Sequence, residues 1–199
     1  MIKIINTSCE KPYKEFFRIY EKALEKKQPL IHAINISSYD IKNHEVESRM
    51  VNLKYIDEDK WTFFSNYNSP KAEQFRQHNQ ISAIFHWDSI KTQIRIKANI
   101  EMTDPEFSNK HFNQRSDEKN ALSISSMQSQ KIDSYKSIEK NYEKVFQDHD
   151  LLVNRPEYWG GFTFVPYYFE FWKGHKNRIN KRQIYKKVEE SWEYFILQP

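Results

Sequence analysis

The most regular pattern in the chain lies at residues 93–102. Five apolar side chains alternate there, without interruption, with five polar or charged ones: Ile94, Ile96, Ala98, Ile100 and Met102. Successive side chains of a β-strand point to opposite faces, so this alternation predicts a strand with one apolar and one polar face. A fold for this chain therefore has to include a sheet. Apolar or alternating runs predict further strands at 30–36, 46–55, 61–66, 80–87, 161–173, 183–188 and 192–197.

Helical spacing of apolar residues predicts helices between these strands. The first is expected at 13–24, and others at 105–112, within 117–127 and at 137–147, the last with Tyr142, Val145 and Phe146 facing inward. A chain of 199 residues is long enough to bury one core, and no interior linker divides it. We therefore predict one domain over residues 1–199, of the α+β class with β dominant. It is a barrel of mostly antiparallel strands surrounded by helices, with a mobile segment at 1–12.

The scarcity of glycine excludes two common ways of holding a nucleotide. The chain has only three glycines: Gly160, Gly161 and Gly174. Dinucleotide-binding loops and Walker loops need clustered glycines that let backbone N–H groups approach phosphate, so neither loop is present. Phosphate would have to be bound by side chains and by a helix N-terminus. Ser69 and Pro70 have the signature of such an N-terminus, and Lys71 would lie in its first turn, which predicts an anion site.

Charge and composition narrow the function classes further. A net charge of +4 suits an anionic ligand but is too small to indicate nucleic acid, and the basic stretch 173–187 favours strands beside an anion site. One cysteine, Cys9, allows no internal disulfide. The seven histidines lack metal-ligand spacing. Because there is no long apolar run and no signal pattern at 1–9, we expect a cytoplasmic protein without a membrane or nucleic-acid partner.

Five separated fragments, in their order and spacing, resemble the pyridoxamine 5'-phosphate oxidase family. They are Arg49 to Lys54, Phe64 to Lys71, Gln93 to Arg95, Gln128 with Ser129, and the tail from Trp159 to Arg182. The tail is the most specific fragment, since its tryptophans, glycines and arginines all agree with the family in order. The resemblance extends over residues 13–199. It implies an FMN-binding split β-barrel that forms a homodimer, with FMN at the interface and both chains contributing to its site.

The resemblance also implies roles for individual residues. A cofactor-binding role falls to Arg49, Met50, Val51, Leu53, Lys54, Phe64, Ser65, Lys71, Gln93, Gln128, Ser129, Trp172 and Arg182. A substrate-binding role falls to Lys54, His111, Arg115, Lys119, Arg178 and Asn180. Arg178 corresponds to the arginine that lies over the flavin and positions the substrate, so it is the predicted catalytic residue. No metal ion is implied.

Four positions depart from the family's pattern. Pro70 stands in place of an arginine that binds the FMN phosphate. His111, Lys119 and Asn180 stand where the family has tyrosine, serine and histidine. The first two can still donate hydrogen bonds to phosphate, whereas Asn180 cannot act as an acid or base.

Arg49 and Lys54 pose a separate geometric question. They lie five residues apart in the predicted strand 46–55, so their side chains are expected to point to opposite faces. Both can reach one small ligand only if the strand ends or twists between them.

The function implied by the resemblance is oxidation of pyridoxamine 5'-phosphate or pyridoxine 5'-phosphate to pyridoxal 5'-phosphate, with O2 reduced to H2O2. The partner of the protein would then be a small phosphorylated substrate, a vitamin B6 phosphate. Three alternatives remain open. They are FMN-dependent oxidation of another small molecule such as a phenazine precursor, non-catalytic binding of flavin or pyridoxal phosphate, and binding of nucleic acid by the basic stretch.

Overall fold

The computed structural model describes residues 1–199 and contains ten strands and six α-helices. The strands are β1 (Lys3–Thr7), β2 (Ala33–Asp40), β3 (Glu45–Asn52), β4 (Tyr55–Glu58), β5 (Lys60–Asn66), β6 (Gln80–Trp87), β7 (Thr92–Met102), β8 (Trp159–Lys173), β9 (Lys181–Val188) and β10 (Ser191–Leu197). The helices are α1 (Lys11–Glu25), α2 (Pro70–Gln77), α3 (Pro105–Asn113), α4 (Asp117–Ser125), α5 (Tyr135–Phe146) and α6 (His149–Leu152). None of the helices is both long and apolar enough to span a membrane.

All ten strands belong to one sheet, which is antiparallel apart from the pairing of β1 with β4. The strand order is β1-β4-β5-β8-β7-β6-β2-β3, with β9 paired to β8 and β10 paired to β9. β8 is 15 residues long and contacts three neighbours, namely β5 through its first half, β7 along most of its length and β9 through its second half. This topology confirms the predicted β-dominant α+β class and the antiparallel split barrel.

Aromatic side chains fill the core of the barrel. The core cluster contains 29 buried residues, and α1 contributes Tyr13, Phe16 and Tyr20 to it. Phe16 packs on Trp61 with ring centroids 4.4 Å apart and on Trp87 at 5.8 Å. Burial of each large apolar side chain contributes about 1.5–3 kcal/mol, so the contact between α1 and the barrel is a major source of stability.

The N-terminal segment is more ordered than its sequence indicates. Residues 1–12, expected to be mobile, contain β1 and the start of α1. The N–H of Lys3 donates to the carbonyl of Lys54 at 2.9 Å, and Ile2 is buried in the core cluster. Backbone pairing with β4 therefore attaches this segment to the sheet. A short strand paired through its backbone shows no periodicity that a sequence pattern can detect.

The predicted strand 46–55 is two strands, β3 and β4, with a two-residue connection between them. The N–H of Leu53 donates to the carbonyl of His32, and the N–H of Lys54 donates to that of Thr62, both at 2.9 Å. The chain thus passes at Leu53 and Lys54 from β3, at one end of the strand order, to β4, the second strand from the other end. This connection decides where the side chain of Lys54 lies.

Two smaller predictions are also corrected. The strand expected at 30–36 lies at 33–40, because Leu30 adopts a positive φ of 47° in the preceding turn and is 72% exposed. Helix α5 buries none of its residues, and Phe146, expected to face inward, is exposed and stacks on Tyr142 along the helix.

Gly160 and Gly161 allow α3 to approach the start of β8. A Cβ on Gly160 would collide with the hydroxyl of Tyr67 and crowd that of Ser108, and a Cβ on Gly161 would collide with Thr103. The N–H of Gly161 donates to Ser108 Oγ at 3.1 Å, which joins the helix to the strand. Glycine is required here for close approach, and this approach forms one wall of the site described next.

Candidate active site

A cavity of about 600 Å³ opens between β3, β5, α2 and the region of α3 and α4. This volume is typical of small-molecule sites. The cavity is lined by 17 residues: Glu47, Ser48, Arg49, Met50, Val51, Asn52, Lys54, Phe64, Ser65, Pro70, Lys71, His111, Arg115, Lys119, Gln128, Ser129 and Trp159. All but five of them are residues predicted to bind cofactor or substrate, and the five others are Glu47, Ser48, Asn52, Pro70 and Trp159.

Lys71 is a buried cation that has no acidic partner. It lies in the first turn of α2 and is 7% exposed. Its Nζ donates to Ser65 Oγ and Ser69 Oγ, each at 3.1 Å, which leaves one of its three N–H donors without a partner in the chain. Burial, and then repulsion from Arg49, lowers the pKa of Lys71 to about 8. A buried ammonium with a free donor at a helix N-terminus is suited to bind an anionic group.

Arg49 is held in place beside Lys71 by residues of β2, α2 and its own strand β3. Its Nη1 donates to Ser38 Oγ at 2.6 Å, and its Nη2 donates to Gln74 Oε1 at 3.0 Å and to Glu47 Oε2 at 2.9 Å. Burial lowers the pKa of Arg49, and the charge of Glu47 opposes that shift. The guanidinium therefore supplies a fixed positive charge to this side of the cavity.

Arg115 has a donor that is buried and unpaired. Its Nη2 donates to the carbonyl of Lys119 at 2.6 Å and to Ser123 Oγ at 2.8 Å, but its Nη1 has no hydrogen-bond partner. The guanidinium lies over Trp159, with Cζ 4.2 Å from the ring centroid, and this cation–π contact fixes its plane. Burial lowers the pKa of Arg115 to about 10, so the group is charged at neutral pH. An unsatisfied buried donor costs about 1–3 kcal/mol, and an anion bound at Nη1 would remove that cost.

His111 lies in an aromatic stack at the same wall. Its ring centroid is 3.8 Å from that of Phe64 with the planes 16° apart, and it is also nearly parallel to Trp159 at 6.2 Å. Burial is the main cause that lowers the pKa of His111 to about 4, and three cations lower it further: Arg115, Lys54 and Lys119. The imidazole is therefore neutral at pH 7, and it can donate one hydrogen bond and accept one.

Lys54 lies near Arg115 and Lys119 because it belongs to the connection after β3. Burial, and then repulsion from Lys119 and Arg115, lowers its pKa. Arg49 and Lys54 both line the cavity because the strand ends at Asn52, between them, which is one of the two conditions that their spacing in the sequence set. Alternation of side chains holds only within one strand. Two groups of cations thus share the cavity, one around Lys71 and one around Arg115.

The charges around the cavity do not balance. Five of its lining side chains are cations, namely Arg49, Lys54, Lys71, Arg115 and Lys119, and one is a carboxylate, Glu47. Glu47 is paired with Arg49. The unbalanced positive charge favours anionic ligands.

Gln128 and Ser129 bring the connection after α4 to the edge of the cavity. Oε1 of Gln128 accepts hydrogen bonds from Ser65 Oγ at 3.1 Å and from the N–H of Asn66 at 3.3 Å. Its amide nitrogen has no partner in the chain and remains available as a donor. Ser129 has a φ of 69°, a left-handed conformation that is uncommon for a residue with a side chain.

Three further predicted residues are neighbours on another surface. Gln93 pairs with Trp172, and Trp172 pairs with Arg182, across β7, β8 and β9. None of the three lines the cavity. Trp159 and Trp172 mark opposite ends of β8, which separates the two surfaces by up to about 40 Å along the strand.

A buried carboxylate neutralises the arginines of this second surface. The side chain of Glu170 is 3% exposed. Its Oε1 accepts from Arg182 Nε at 2.7 Å, and its Oε2 forms an ion pair with Arg95 Nη1 at 3.0 Å. The hydrogen bond to Glu170 raises the pKa of Arg182 and fixes its side chain. Unlike Lys71 and Arg115 of the cavity, these arginines have a carboxylate partner within the chain.

Arg178 and Asn180 lie in the loop between β8 and β9. Arg178 has a φ of 62°, its side chain is exposed, and its guanidinium makes no hydrogen bond within the chain. Asn180 Oδ1 accepts from the N–H of His175 at 3.0 Å, so this side chain closes the loop. We refer to Gln93, Trp172, Arg178, Asn180 and Arg182 together as the β7–β9 patch.

The structure also changes the set of site residues. Leu53, predicted to contact the cofactor, is fully buried in the core cluster, so its side chain packs in the core and does not line the cavity. Trp159 and Tyr55 received no predicted role, yet Trp159 supports Arg115, and the Tyr55 hydroxyl lies 2.8 Å from His111 Nδ1. The motif around Gly160 and Gly161 could have indicated Trp159. No local pattern links Tyr55 to a histidine 56 residues away.

Comparisons with known proteins give the family and the fold of the chain. Residues 159–199 match a family model described as the pyridoxine 5'-phosphate oxidase C-terminal dimerisation region. The chain is 30% identical to the pyridoxine/pyridoxamine 5'-phosphate oxidase of Herminiimonas arsenicoxydans over 94% of this chain and 89% of that protein. It is 33% identical to the same oxidase of Colwellia psychrerythraea over 85% of this chain and 78% of that protein.

The chain belongs to the pyridoxine/pyridoxamine 5'-phosphate oxidase family.

Solved structures support the split-barrel fold of this family member. The crystal structure of PhzG from Burkholderia lata 383, in complex with tetrahydrophenazine-1-carboxylic acid, matches with a TM-score of 0.88 at 21% identity, over 96% of this chain and 93% of that one. A pyridoxamine 5'-phosphate oxidase-related, FMN binding protein from Nostoc punctiforme matches with a TM-score of 0.75 at 14% identity, over 92% and 96% of the two chains. At these identities the likeness concerns the fold.

Most of the β7–β9 patch lies within the residues that match the dimerisation region. The matched residues form β8, β9 and β10, and all members of the patch except Gln93 lie within them. The family's C-terminal region therefore includes most of the patch, together with Trp159 at the cavity wall. The roles of individual residues in both regions stay predictions.

Proposed function

We propose that the protein is an FMN-dependent oxidase that converts pyridoxamine 5'-phosphate or pyridoxine 5'-phosphate to pyridoxal 5'-phosphate, with reduction of O2 to H2O2. The observation that carries the proposal is the pair of unsatisfied cations in the cavity. Lys71 has a free ammonium donor, and Arg115 has a buried unpaired Nη1. Two phosphate-bearing ligands, a cofactor and a substrate, would satisfy one cation each. Membership of the oxidase family supports this reaction class.

The group around Lys71 fits the phosphate of FMN. Its free ammonium donor, the hydroxyl of Ser65 and the N-terminus of α2 converge at the cavity wall, and Arg49 adds positive charge. Pro70 adds no charge of its own, so Lys71 carries more of the phosphate binding than it would beside an arginine. The free amide of Gln128 can donate to a polar edge of the cofactor ring.

The group around Arg115 fits the phosphate of a vitamin B6 substrate. The unpaired Nη1 of Arg115 is fixed in plane by Trp159, which suits it to a phosphate oxygen. Lys54 and Lys119 add positive charge, and neutral His111 adds a hydrogen-bonding nitrogen. Together these groups would anchor the substrate by its phosphate and leave its reactive carbon to be oriented by other residues.

The β7–β9 patch supports a homodimer in which each site uses both chains. Gln93, Trp172 and Arg182 are predicted cofactor residues, yet they lie at the opposite end of β8 from the cavity of the same chain. A second copy could bring its patch to this cavity, and the match to a dimerisation region supports that arrangement. Arg178, exposed and unpaired, would then enter the partner's site to position the substrate.

The chain's own residues would bind and orient, while the redox step belongs to the cofactor. When bound, FMN accepts a hydride from the substrate carbon and passes the electrons to O2. Arg115, Lys54 and Lys119 would hold the substrate phosphate, and Arg178 would hold the ring in the reactive orientation. No side chain is required as a nucleophile. Orientation of this kind lowers the barrier by removing the entropy of alignment before the reaction.

The test is anaerobic reduction of the bound flavin. The protein is reconstituted with FMN and mixed without oxygen with pyridoxamine 5'-phosphate, and separately with pyridoxine 5'-phosphate. We expect the flavin absorbance band to bleach, and to return with formation of H2O2 when air is admitted. The matched control is Arg115→Met, which keeps apolar packing over Trp159 and removes the charge. Bound flavin that stays oxidised with both substrates would contradict the assignment.

A second candidate is FMN-dependent oxidation of a different small molecule, such as a phenazine precursor. The observation that favours it is the loop position Asn180, whose carbonyl oxygen is used to close its own loop instead of facing a ligand. His111 and Lys119 also replace the family's residues at the predicted phosphate site. This candidate predicts tight FMN binding, no bleaching by vitamin B6 phosphates, and bleaching by a reduced tricyclic carboxylic acid under the same conditions.

A further inference from the structure

The side chain of Tyr55 is joined to the cavity wall by a single polar contact. Tyr55 is the first residue of β4, directly after Lys54, and is 8% exposed. Its hydroxyl lies 2.8 Å from His111 Nδ1, and no other polar group of the chain bonds to it. Burial raises the pKa of Tyr55, so the hydroxyl keeps its proton at neutral pH. Neither the family match nor the predicted site set assigns it a role.

The contact between the Tyr55 hydroxyl and His111 Nδ1 links the hydroxyl proton to the tautomer of the imidazole, because either atom can be the donor. If the hydroxyl donates, Nδ1 carries no proton, and the single proton of the neutral imidazole is on Nε2. This direction gives the hydroxyl proton an acceptor, and His111 Nδ1 is the one acceptor within the chain. The opposite direction leaves that proton without a partner in the chain, so the contact favours the Nε2–H tautomer of His111.

Aromatic neighbours prevent the imidazole from turning. Phe64 stacks on one face at 3.8 Å between centroids, and the edge contact with Tyr55 has a centroid distance of 5.3 Å at 85°. Nε2 makes no hydrogen bond within the chain, and His111 lines the cavity. The donor of the selected tautomer is therefore available to a ligand beside Arg115 and Lys54.

We propose that Tyr55 is a positioning residue: its hydroxyl holds His111 as a neutral Nε2–H donor to the phosphate-class anion that Arg115 binds. The identity of that anion as a substrate phosphate rests on the proposed function. The arrangement adds a directed hydrogen bond at a point where three cations, Lys54, Arg115 and Lys119, already repel a further positive charge. A neutral donor avoids that repulsion, which a protonated imidazole would increase.

The first test reads the tautomer directly in the ligand-free protein. Imidazole nitrogens labelled with 15N distinguish a protonated Nε2 from a protonated Nδ1 by chemical shift. We expect the wild type to show His111 in the Nε2–H form alone, and Tyr55→Phe to show a mixture of the two tautomers. The matched control is Tyr39→Phe, because Tyr39 pairs with His44 Nδ1 at 3.1 Å on the exposed surface away from the cavity. An Nδ1–H tautomer in the wild type overturns the proposal.

The second test separates positioning from packing by a double-mutant cycle. Binding of pyridoxal 5'-phosphate and of inorganic phosphate is measured for the wild type, Tyr55→Phe, His111→Tyr and the double variant. In Tyr55→Phe the affinity for both ligands should fall by the inverse of the fraction of His111 that remains in the Nε2–H form, about twofold for an equal mixture. In the His111→Tyr background, where no tautomer exists to be selected, the same change should leave both affinities unchanged. An equal loss in both backgrounds would show that Tyr55 acts by packing and would refute the proposal.

The two probes distinguish this proposal from the proposed function. If inorganic phosphate shows the Tyr55 dependence but pyridoxal 5'-phosphate does not bind, the tautomer arrangement stands and the vitamin B6 assignment fails. If pyridoxal 5'-phosphate binds and its affinity is the same in wild type and Tyr55→Phe, the arrangement fails and the assignment stands. If His111→Tyr does not fold, the nitrogen shifts of wild type and Tyr55→Phe still decide the tautomer.

Discussion

The cavity and the β7–β9 patch are both basic, but they differ in whether their buried or bound cations have a counter-charge within the chain. In the cavity, Lys71 is buried without an acidic partner, and Arg115 has an unpaired donor. In the patch, Arg182 shares the buried carboxylate of Glu170 with Arg95. Lys71 and Arg115 in the cavity therefore lack a counter-charge in the absence of an anion, whereas Arg182 in the patch has one within the chain.

The difference indicates that the two regions contribute to ligand binding in different ways. Uncompensated buried cations lower the stability of the free protein, and their stabilisation by an anion appears as binding affinity. Arg182, compensated by Glu170, is held in a fixed geometry and can orient a ligand at little further cost. Arg178 is exposed and unpaired, so its side chain is free to contact a ligand. We infer that the cavity supplies affinity for phosphate groups, and that the patch supplies orientation.

The strongest test of that difference is Arg178→Ala. Arg178 is exposed and unpaired, so its removal should leave folding and FMN affinity within about twofold of wild type. If it orients the substrate, kcat/KM for pyridoxine 5'-phosphate should fall by about 100- to 1000-fold. Steady-state H2O2 production and FMN titration measure the two quantities. Lys176→Ala, exposed in the same loop, is the control and should match wild type. Unchanged turnover would remove the orienting role from the patch.

Mixing two inactive variants tests whether the two regions meet across chains. Arg178→Ala inactivates the patch, and Arg115→Met inactivates the cavity. If each site combines the cavity of one chain with the patch of the other, half of the randomly mixed dimers carry one intact site out of two. Activity should then rise from near zero to about a quarter of wild type after the subunits are exchanged. Each variant refolded alone is the control. Failure to recover, with exchange demonstrated by a tag, would place both regions of a site in one chain.

Lys71→Met should separate affinity from stability within the cavity. Loss of a charge-assisted hydrogen bond is expected to weaken FMN binding by about 10- to 100-fold. The same substitution removes a buried unpaired cation, so the thermal midpoint of the ligand-free protein should rise. Flavin fluorescence titration and thermal unfolding measure the two effects. Lys14→Met, at an exposed position of α1, is the control and should change neither. Equal FMN affinity would move the phosphate site away from Lys71.

The lowered pKa of Lys71 predicts a pH dependence with a defined sign. As the pH rises through about 8, the ligand-free protein loses the charge of Lys71, so FMN affinity should be level near pH 7 and fall above 8. The folded pKa lies below the ordinary value of 10.5, so the unfolded chain binds more protons between these two values. Ligand-free stability should therefore rise with pH across that window. Lys71→Met should show neither trend, and an identical decline of affinity in that variant would assign the titration to another group.

The sequence predicted the strands better than it predicted what joins distant parts of the site. Alternation located β7 and most other strands, and order and spacing located the cavity residues. The sequence pattern did not reveal the end of β3, because the hydrogen bonds from Leu53 to His32 and from Lys54 to Thr62 form only in the folded sheet. The pairing of Tyr55 with His111 likewise joins residues that have no common local pattern. Long-range contacts of this kind are set by tertiary packing, which periodicity does not record.

The smallest effect on FMN affinity is expected from Glu170→Gln. This substitution tests the patch most directly, because it removes the counter-charge of Arg182. Gln can accept from only one of the two arginines and presents an amide donor to the other. The resulting unpaired charge should lower stability by about 1–2 kcal/mol, a fall in the thermal midpoint of about 3–6 °C for a chain of this size. FMN affinity should fall by less than about tenfold, since Arg182 keeps its charge and loses only its fixed position. Glu193→Gln, exposed on the adjacent β10, is the control.

The sign of the stability change carries the argument. Removing a charge from the cavity by Lys71→Met should stabilise the free protein, whereas removing one from the patch by Glu170→Gln should destabilise it. Both substitutions should weaken the binding of FMN, for different reasons. Lys71→Met removes an ionic contact, and Glu170→Gln removes the preorganised position of Arg182. If both substitutions move the thermal midpoint in the same direction, the contrast between an uncompensated Lys71 and a compensated Arg182 does not hold, and the two basic regions have to be treated as one electrostatic field.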